Sequence, residues 1–503
     1  MWSDGSSRGV WVADTATPPR RRSGRGVAVC LAWLSCVVCV RAGGPPTAQQ
    51  RVCARLDKIV ASVRKPVVVG LVVLDADTGR TWFAHQADLP LKPASVLKLC
   101  TTSAAIERLG IDFRYRTRVY YRDGALLVVG SGDPALGDER IARRHRRPWL
   151  GELAAWAGLL KRRGLAVRTI ALDDSVFEPL LRHPDWPDDE DMAWYQAPVG
   201  GINFNDNCLD GTIRVADGRV LLELLPRLPA SFFANQLRIG KKHQPRIIRE
   251  LGQDVFAFRG TVARTGRFKP VAVGRPTVFF GYALQQAIVD AGSLTTPDVV
   301  RRKVTPDVLR GAELLATVET PMDDVLWRCN KFSQNLFAEC LLKSLVAYGP
   351  DGKPTGRPGS WRGGTAIVRQ TLESLGVDTS QAVFRDGSGL SHKNRVTARL
   401  IATLLVTMRH HRGREAFVGS LARPGRPGSM RRRYDTPALH GRLRGKTGTI
   451  DKVKTLAGYV RRDDGTTLAF AALANGGPRL RLLVQIAEAL TDQPAASRTG
   501  RGR

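Results

Sequence analysis

A chain of 503 residues, 43% of them hydrophobic, is long enough for two or three domains around large buried cores, which excludes a small scaffold held by staples. Its 77 Lys+Arg against 46 Asp+Glu leave a net charge of +31, dispersed in short clusters such as Arg143-Arg144-His145-Arg146-Arg147, Arg409 to Arg414 and Arg431-Arg432-Arg433. No basic element interleaved with aromatics accompanies them, so nucleic acid is not the expected partner. The charge reads either as solvated surface or as peripheral contact with anionic wall polymers or membrane head groups.

In chain order, Arg20-Arg21-Arg22 and Arg25 precede an apolar run from Val27 to Val40, followed by Arg41-Ala42-Gly43-Gly44-Pro45. Residues 1–44 read as a secretory signal peptide cleaved near Ala42 to Gly44, because the run is shorter than the about 20 residues a spanning helix needs. The expected location is exported, periplasmic or otherwise extracytoplasmic. The stretch before Arg20 is long for a charged leader, which suggests a start codon further downstream. Cys30, Cys36 and Cys39 lie in the run without making a lipoprotein signal.

Past the leader, Cys53, Cys100, Cys208, Cys329 and Cys340 are odd in number and lack metal-ligand spacing, and the eight His are scattered. Neither a metal nor another cofactor is expected. One or two disulfides stay open for an oxidising compartment, while the apolar helical settings of Cys100, Cys329 and Cys340 suit buried thiols.

Val67 to Leu74 and Thr81 to Ala84, joined by the turn Asp75 to Gly79, predict an antiparallel hairpin. A helical pattern follows from Ser95 to about Leu109, with Gly110 as its stop. From about Phe113 to Pro306 the texture changes to short strands, charged loops and turns. Ser95 and Ser333 lie 238 residues apart, too far for one connection within a domain, so one or two mainly β domains are expected over 116–304. Helical signal returns from Pro321 to Val346, and Ser333 and Asn335 within it would diverge on an ideal helix, which predicts an irregular junction. The loop Arg385 to Ser391, a helix from Thr397 to Met408, and a hairpin on a sheet edge from Lys446 to Asn475 complete the body. Residues 493–503 read as a disordered basic tail.

Three short motifs carry the chemistry: Ser95-Val96-Leu97-Lys98, Ser333-Gln334-Asn335 and Lys446-Thr447-Gly448. Each alone is common, but the ordered triple in suitable contexts points to an acylating serine enzyme. Spacing by three puts Lys98 on the face of Ser95, where an amine of lowered pKa takes the hydroxyl proton; burial, Lys446 and a helix N-terminus would each lower it. Asn335 can orient that amine and a substrate amide, and Ser333 can pass a proton towards the leaving nitrogen. Lys446-Thr447-Gly448-Thr449 at the start of an edge strand suits an extended peptide, and the N–H groups of Ser95 and Thr449 are candidates for the oxyanion hole.

Together with Lys92-Pro93-Ala94, Gly130 to Pro134, Asn330 to Leu336, Asp386 to Ser391 with Asn394-Arg395, and Gly445 to Thr449, these motifs resemble the penicillin-recognising serine peptidases. More narrowly, they resemble the D-alanyl-D-alanine carboxypeptidase/endopeptidases of the penicillin-binding protein 4 type, peptidase family S13. The resemblance implies an α/β (α+β) fold, a split transpeptidase-like domain over 54–115 and 305–492 with an antiparallel sheet between helices. It implies Ser95 as nucleophile, Lys98 as base, Ser333 and Asn335 as the second catalytic element, and Lys446 with Thr447, Gly448 and Thr449 as substrate binders. The implied partners are peptidoglycan stem peptides, with β-lactams as inhibitors; oligomeric state is not implied. Gln334 faces away in the family pattern, and the Asp386 to Gly389 loop reads as a structural turn beside the cleft. A β-lactamase and a non-catalytic wall-binding scaffold are the alternative functions.

Overall fold

The computed structural model describes residues 46–188, 191–250 and 253–491, so the signal-peptide and basic-tail readings lie outside the described residues. Val68–Asp75 is buried along nearly its whole length because it is an inner strand of a five-stranded antiparallel sheet. The strand order is Leu443–Ile450, Val453–Arg461, Thr467–Asn475, Val68–Asp75, Thr81–His85. Side chains alternate between faces, as strand geometry demands. Val69, Leu71 and Val73 pack with Val52, Leu56, Leu483 and Ile486, from the helices Ala48–Ala61 and Leu480–Ala489. Val72 and Leu74 face the opposite core, with Leu99, Leu341, Leu400 and Leu404 from the helices Lys98–Leu109, Asn335–Ala347 and Ala398–His410. The sheet thus lies between two helical layers, and the motif strand Leu443–Ile450 is its edge, bridged on the outer side to Ala422 at Gly445 and open to the cleft further on, at Thr447 and Thr449.

The middle of the chain builds a second five-stranded sheet, mixed in direction, in the order Asp298–Arg301, Thr169–Asp173, Ala125–Val129, Arg114–Arg122, Glu313–Pro321. Two small β-sheets join it, one centred on Cys208–Ala216 and one on Phe256–Val262. The helices Gly151–Arg162 and Pro276–Asp290 cover this region, burying Trp156, Leu160, Phe279, Phe280 and Leu284. Neither helix was among the predicted elements. Pro276–Asp290 is buried on nine positions spread around its circumference, so no one-sided stripe marks it.

Next to the second motif, the buried Arg328 donates to the buried Asp138, with Nε 2.7 Å away, and to the half-buried Asp206. Arg328→Ala would leave two carboxylates without their cation, and we expect a loss of about 3–5 kcal/mol by urea unfolding. A loss below about 1 kcal/mol would show that water replaces the guanidinium.

All five described cysteines are free thiols, so the disulfide option does not materialise among the described residues. Cys100, Cys329 and Cys340 are wholly buried, and burial pushes the Cys100 thiol up to about 12 and that of Cys329 up to about 11.

Candidate active site

Ser95 stands in a 3-10 turn, Ala94–Leu97, that runs directly into the helix Lys98–Leu109. The turn is pinned to the sheet by Thr455, whose Oγ1 donates to the Pro93 carbonyl at 2.7 Å. This contact leaves no room beside Gly448: a Cβ there would lie 2.1 Å from Thr455 Oγ1 and 2.9 Å from the Ser95 nitrogen. Glycine in the third motif therefore lets the edge strand approach the serine turn.

The second motif sits where a helix breaks. Met322–Leu326 winds into a π-turn, Trp327–Lys331, Ser333 takes a left-handed φ of 64°, and a new helix begins at Asn335. This is the irregular junction expected from the spacing, and it turns Ser333 and Asn335 into one cleft. Gln334 departs from its expected idle role. It is buried, and its Oε1 accepts the Asn335 N–H at 3.0 Å as the cap of the new helix.

Lys98 is wholly buried, with Nζ donating to Ser95 Oγ at 3.0 Å, Asn335 Oδ1 at 2.6 Å and the Ser388 carbonyl at 2.8 Å. Burial lowers its pKa to about 8, against the upward pull of the Glu339 and Asp386 carboxylates. Lys446 Nζ donates to Ser333 Oγ and to the Thr447 carbonyl, each at 2.7 Å. Burial first, and then the charge of Lys98, hold Lys446 well below the usual lysine range. Like charges act on each other, so the expected mutual depression of Lys98 and Lys446 accompanies the larger effect of burial on each.

Ser95, Ser333, Asn335, Thr447 and Thr449 all line one cleft of about 940 Å³. Thr447 Oγ1 donates to Ser429 Oγ at 3.0 Å, and Thr449 is exposed at the mouth. Trp194, Tyr195 and Arg431 to Arg433 complete the walls, and Asp451 is the one acid among the described lining residues. Sequence reasoning missed the Ser388 carbonyl, which makes the Asp386 to Gly389 loop more than a turn beside the cleft. It also missed the Tyr195 carbonyl, which accepts from Asn335 Nδ2 at 2.8 Å. Backbone acceptors leave no side-chain signature in a sequence.

A serine hydroxyl beside a buried lysine amine, in a cleft on the edge of a helix-flanked antiparallel sheet, is the site of a serine-type peptidase, a hydrolase. More particularly, the family model described as D-Ala-D-Ala carboxypeptidase 3 (S13) matches residues 52–491, and the chain belongs to that family. It is 29% identical over 507 residues to the D-alanyl-D-alanine carboxypeptidase of Actinomadura sp. (strain R39), covering 91% of this chain and 89% of that one. Identity to the D-alanyl-D-alanine carboxypeptidase DacB of Haemophilus influenzae is 24%, covering 81% of this chain and 85% of that one. The crystal structure of penicillin binding protein 4 from Haemophilus influenzae shares the fold, with TM-score 0.69 at 21% identity over 86% of this chain and 98% of that one. The same protein complexed with a β-lactam gives TM-score 0.65 at 21% identity over 87% and 98%.

Proposed function

We propose that this peptidase removes the terminal D-alanine from peptidoglycan stem peptides through an acyl-enzyme on Ser95, in an extracytoplasmic compartment. The observation that carries the reading is the buried Lys98 amine 3.0 Å from Ser95 Oγ, held on its other sides by Asn335 and Ser388. In the neutral amine the lone pair takes the Ser95 proton as Oγ attacks the penultimate carbonyl carbon. The N–H groups of Ser95 and Thr449 receive the developing oxyanion. Collapse breaks the peptide C–N bond, the leaving nitrogen takes a proton by way of Ser333, and the proton that Lys98 drew from Ser95 makes good that loss, which leaves Lys98 neutral again before water enters. Lys446, Thr447 and Thr449 hold the substrate's terminal carboxylate, while Gly448 admits the extended peptide along the edge strand. Water then cleaves the ester and returns the proton to Ser95. A cross-link amine is an equivalent leaving group, so endopeptidase cutting needs no further residue. β-Lactams, one of which the Haemophilus influenzae relative binds, acylate the same serine.

The test is a time course of intact mass after mixing with benzylpenicillin, with Ser95→Ala beside it. A lasting serine-dependent adduct is expected; a transient adduct would favour a β-lactamase, and none in folded protein a scaffold.

The base must be neutral to work, so acylation should rise with pH through about 8 and level off above it. Rate constants for penicillin acylation between pH 6 and 10 measure this, and a flat profile would remove Lys98 as base.

A further inference from the structure

Resting on that reading, the geometry points to a second layer of positioning, supplied by the middle of the chain. An ammonium at Lys98 has three N–H bonds, and the three acceptors around it match them. A neutral amine has two, and those two go to Asn335 Oδ1 and the Ser388 carbonyl, leaving the lone pair for Ser95. The two acceptors therefore set the direction in which the lone pair points.

Both acceptors are themselves held from the middle of the chain, by Tyr195 directly and by Trp186 through Asp386. Asn335 offers its oxygen to Lys98 because its Nδ2 donates to the Tyr195 carbonyl at 2.8 Å. The Ser388 carbonyl belongs to the same peptide plane as the Gly389 N–H, which donates to Asp386 Oδ1 at 2.8 Å. Asp386 is buried and gathers three more donors: Ser391 N at 2.6 Å, Asn394 Nδ2 at 2.9 Å and Trp186 Nε1 at 3.0 Å. The adjacent Asp185 pairs with Arg385 and Lys393, on either side of the same loop. Gly389 has no freedom to accommodate error, since a Cβ there would lie 1.9 Å from the Ala94 carbonyl, next to the serine.

Asp185, Trp186 and Tyr195 thus form a positioning element for the base. Trp186 through Asp386 aims the Ser388 carbonyl, Tyr195 aims the Asn335 amide, and the pair directs the Lys98 lone pair at Ser95. These are positioning residues, because none of Asp185, Trp186 or Asp386 touches the reacting atoms. The charges that face Lys98 are Glu339 from the helix Asn335–Ala347, Asp386 from its loop and Lys446 from the edge strand, with the Cys329 thiol as the remaining titratable neighbour.

The experiment compares penicillin acylation across pH for wild type, Trp186→Phe and Asp386→Asn, with thermal melting to establish folding. Trp186→Phe removes one N–H and keeps a ring against Trp361. The expected result is a rate constant about 10- to 100-fold lower, the range in which small misplacements act. The midpoint of the pH profile should also move to lower pH, because an ammonium with a misaligned third acceptor is less favoured. If Asp386→Asn does not fold, Trp186→Phe alone decides. Wild-type rate constants and midpoint in Trp186→Phe would overturn the proposal. So would a smaller labelled fraction that reacts at the wild-type rate, since that is loss of fold and not of aim. Labelling of Ser95→Ala would instead overturn the underlying assignment of the nucleophile.

Discussion

Ser95→Ala is expected to give a folded protein that neither releases D-alanine nor takes up penicillin. The residue is half-buried on a 3-10 turn held from behind by Thr455, and alanine fits that turn without strain. Removing the hydroxyl takes one acceptor from Lys98, but Asn335 Oδ1 and the Ser388 carbonyl remain. The cleft-facing donor can then turn to water, so the cost to stability should stay within about 1–2 kcal/mol. Catalysis has no such substitute. Without Oγ no ester forms, and turnover should fall by about four orders of magnitude or more. D-alanine release from a stem peptide and intact mass with benzylpenicillin measure the two halves of the claim. Retention of either activity would place the nucleophile on another residue.

Much of this site is legible in the sequence because its chemistry is carried by side chains at short, fixed spacings. Ser95 and Lys98 are three apart on a helical turn, and the incompatibility of Ser333 and Asn335 with an ideal helix forecasts the break between Trp327 and Asn335. The central strand is legible from its composition: it is free of polar side chains from Val68 to Leu74 because both of its faces are covered. What was hidden belongs to long-range assembly. The Tyr195 and Ser388 carbonyls bond Asn335 and Lys98 from 140 and 290 residues away, and any residue type could supply a carbonyl. Asp386 reads locally as a turn aspartate, and it does bond Gly389 and Ser391 as such. Its link to Trp186, 200 residues distant, emerges only when the chain is folded.

Glu339 shows how these two levels meet. It lies one helical turn beyond Asn335 and is wholly buried, where sequence pattern alone would want an apolar residue. Its carboxylate accepts from Gly387 N, Ser388 N and Trp361 Nε1, at 2.8 to 2.9 Å. Burial, with the charge of Asp386, still pushes it up to about 7. The same helix thus presents Asn335 to the amine directly and, through Glu339, ties down the loop that presents the other acceptor.

Lys446→Ala is expected to divide substrates by charge. Its amine sits buried between Ser333 Oγ and the Thr447 carbonyl, and because neither partner carries a charge to offset the cost of burial, the ammonium form is disfavoured in the empty cleft. A bound carboxylate would supply that counter-charge, restoring the ammonium form and gaining a charge-assisted hydrogen bond in a site shielded from water. Such a bond contributes about 2–4 kcal/mol, so kcat/KM for peptides with a free terminal carboxylate should fall about 30- to 1,000-fold. Esters or amides lacking that carboxylate never gained the charge pair, and they should lose only what Ser333 loses when its donor is removed. That second loss is common to both substrates and cancels in their ratio. The ratio of the two kcat/KM values, wild type against variant, is therefore the quantity to measure. A ratio unchanged by the substitution would confine Lys446 to supporting Ser333 and leave carboxylate recognition to the cleft's arginines, Arg431 to Arg433.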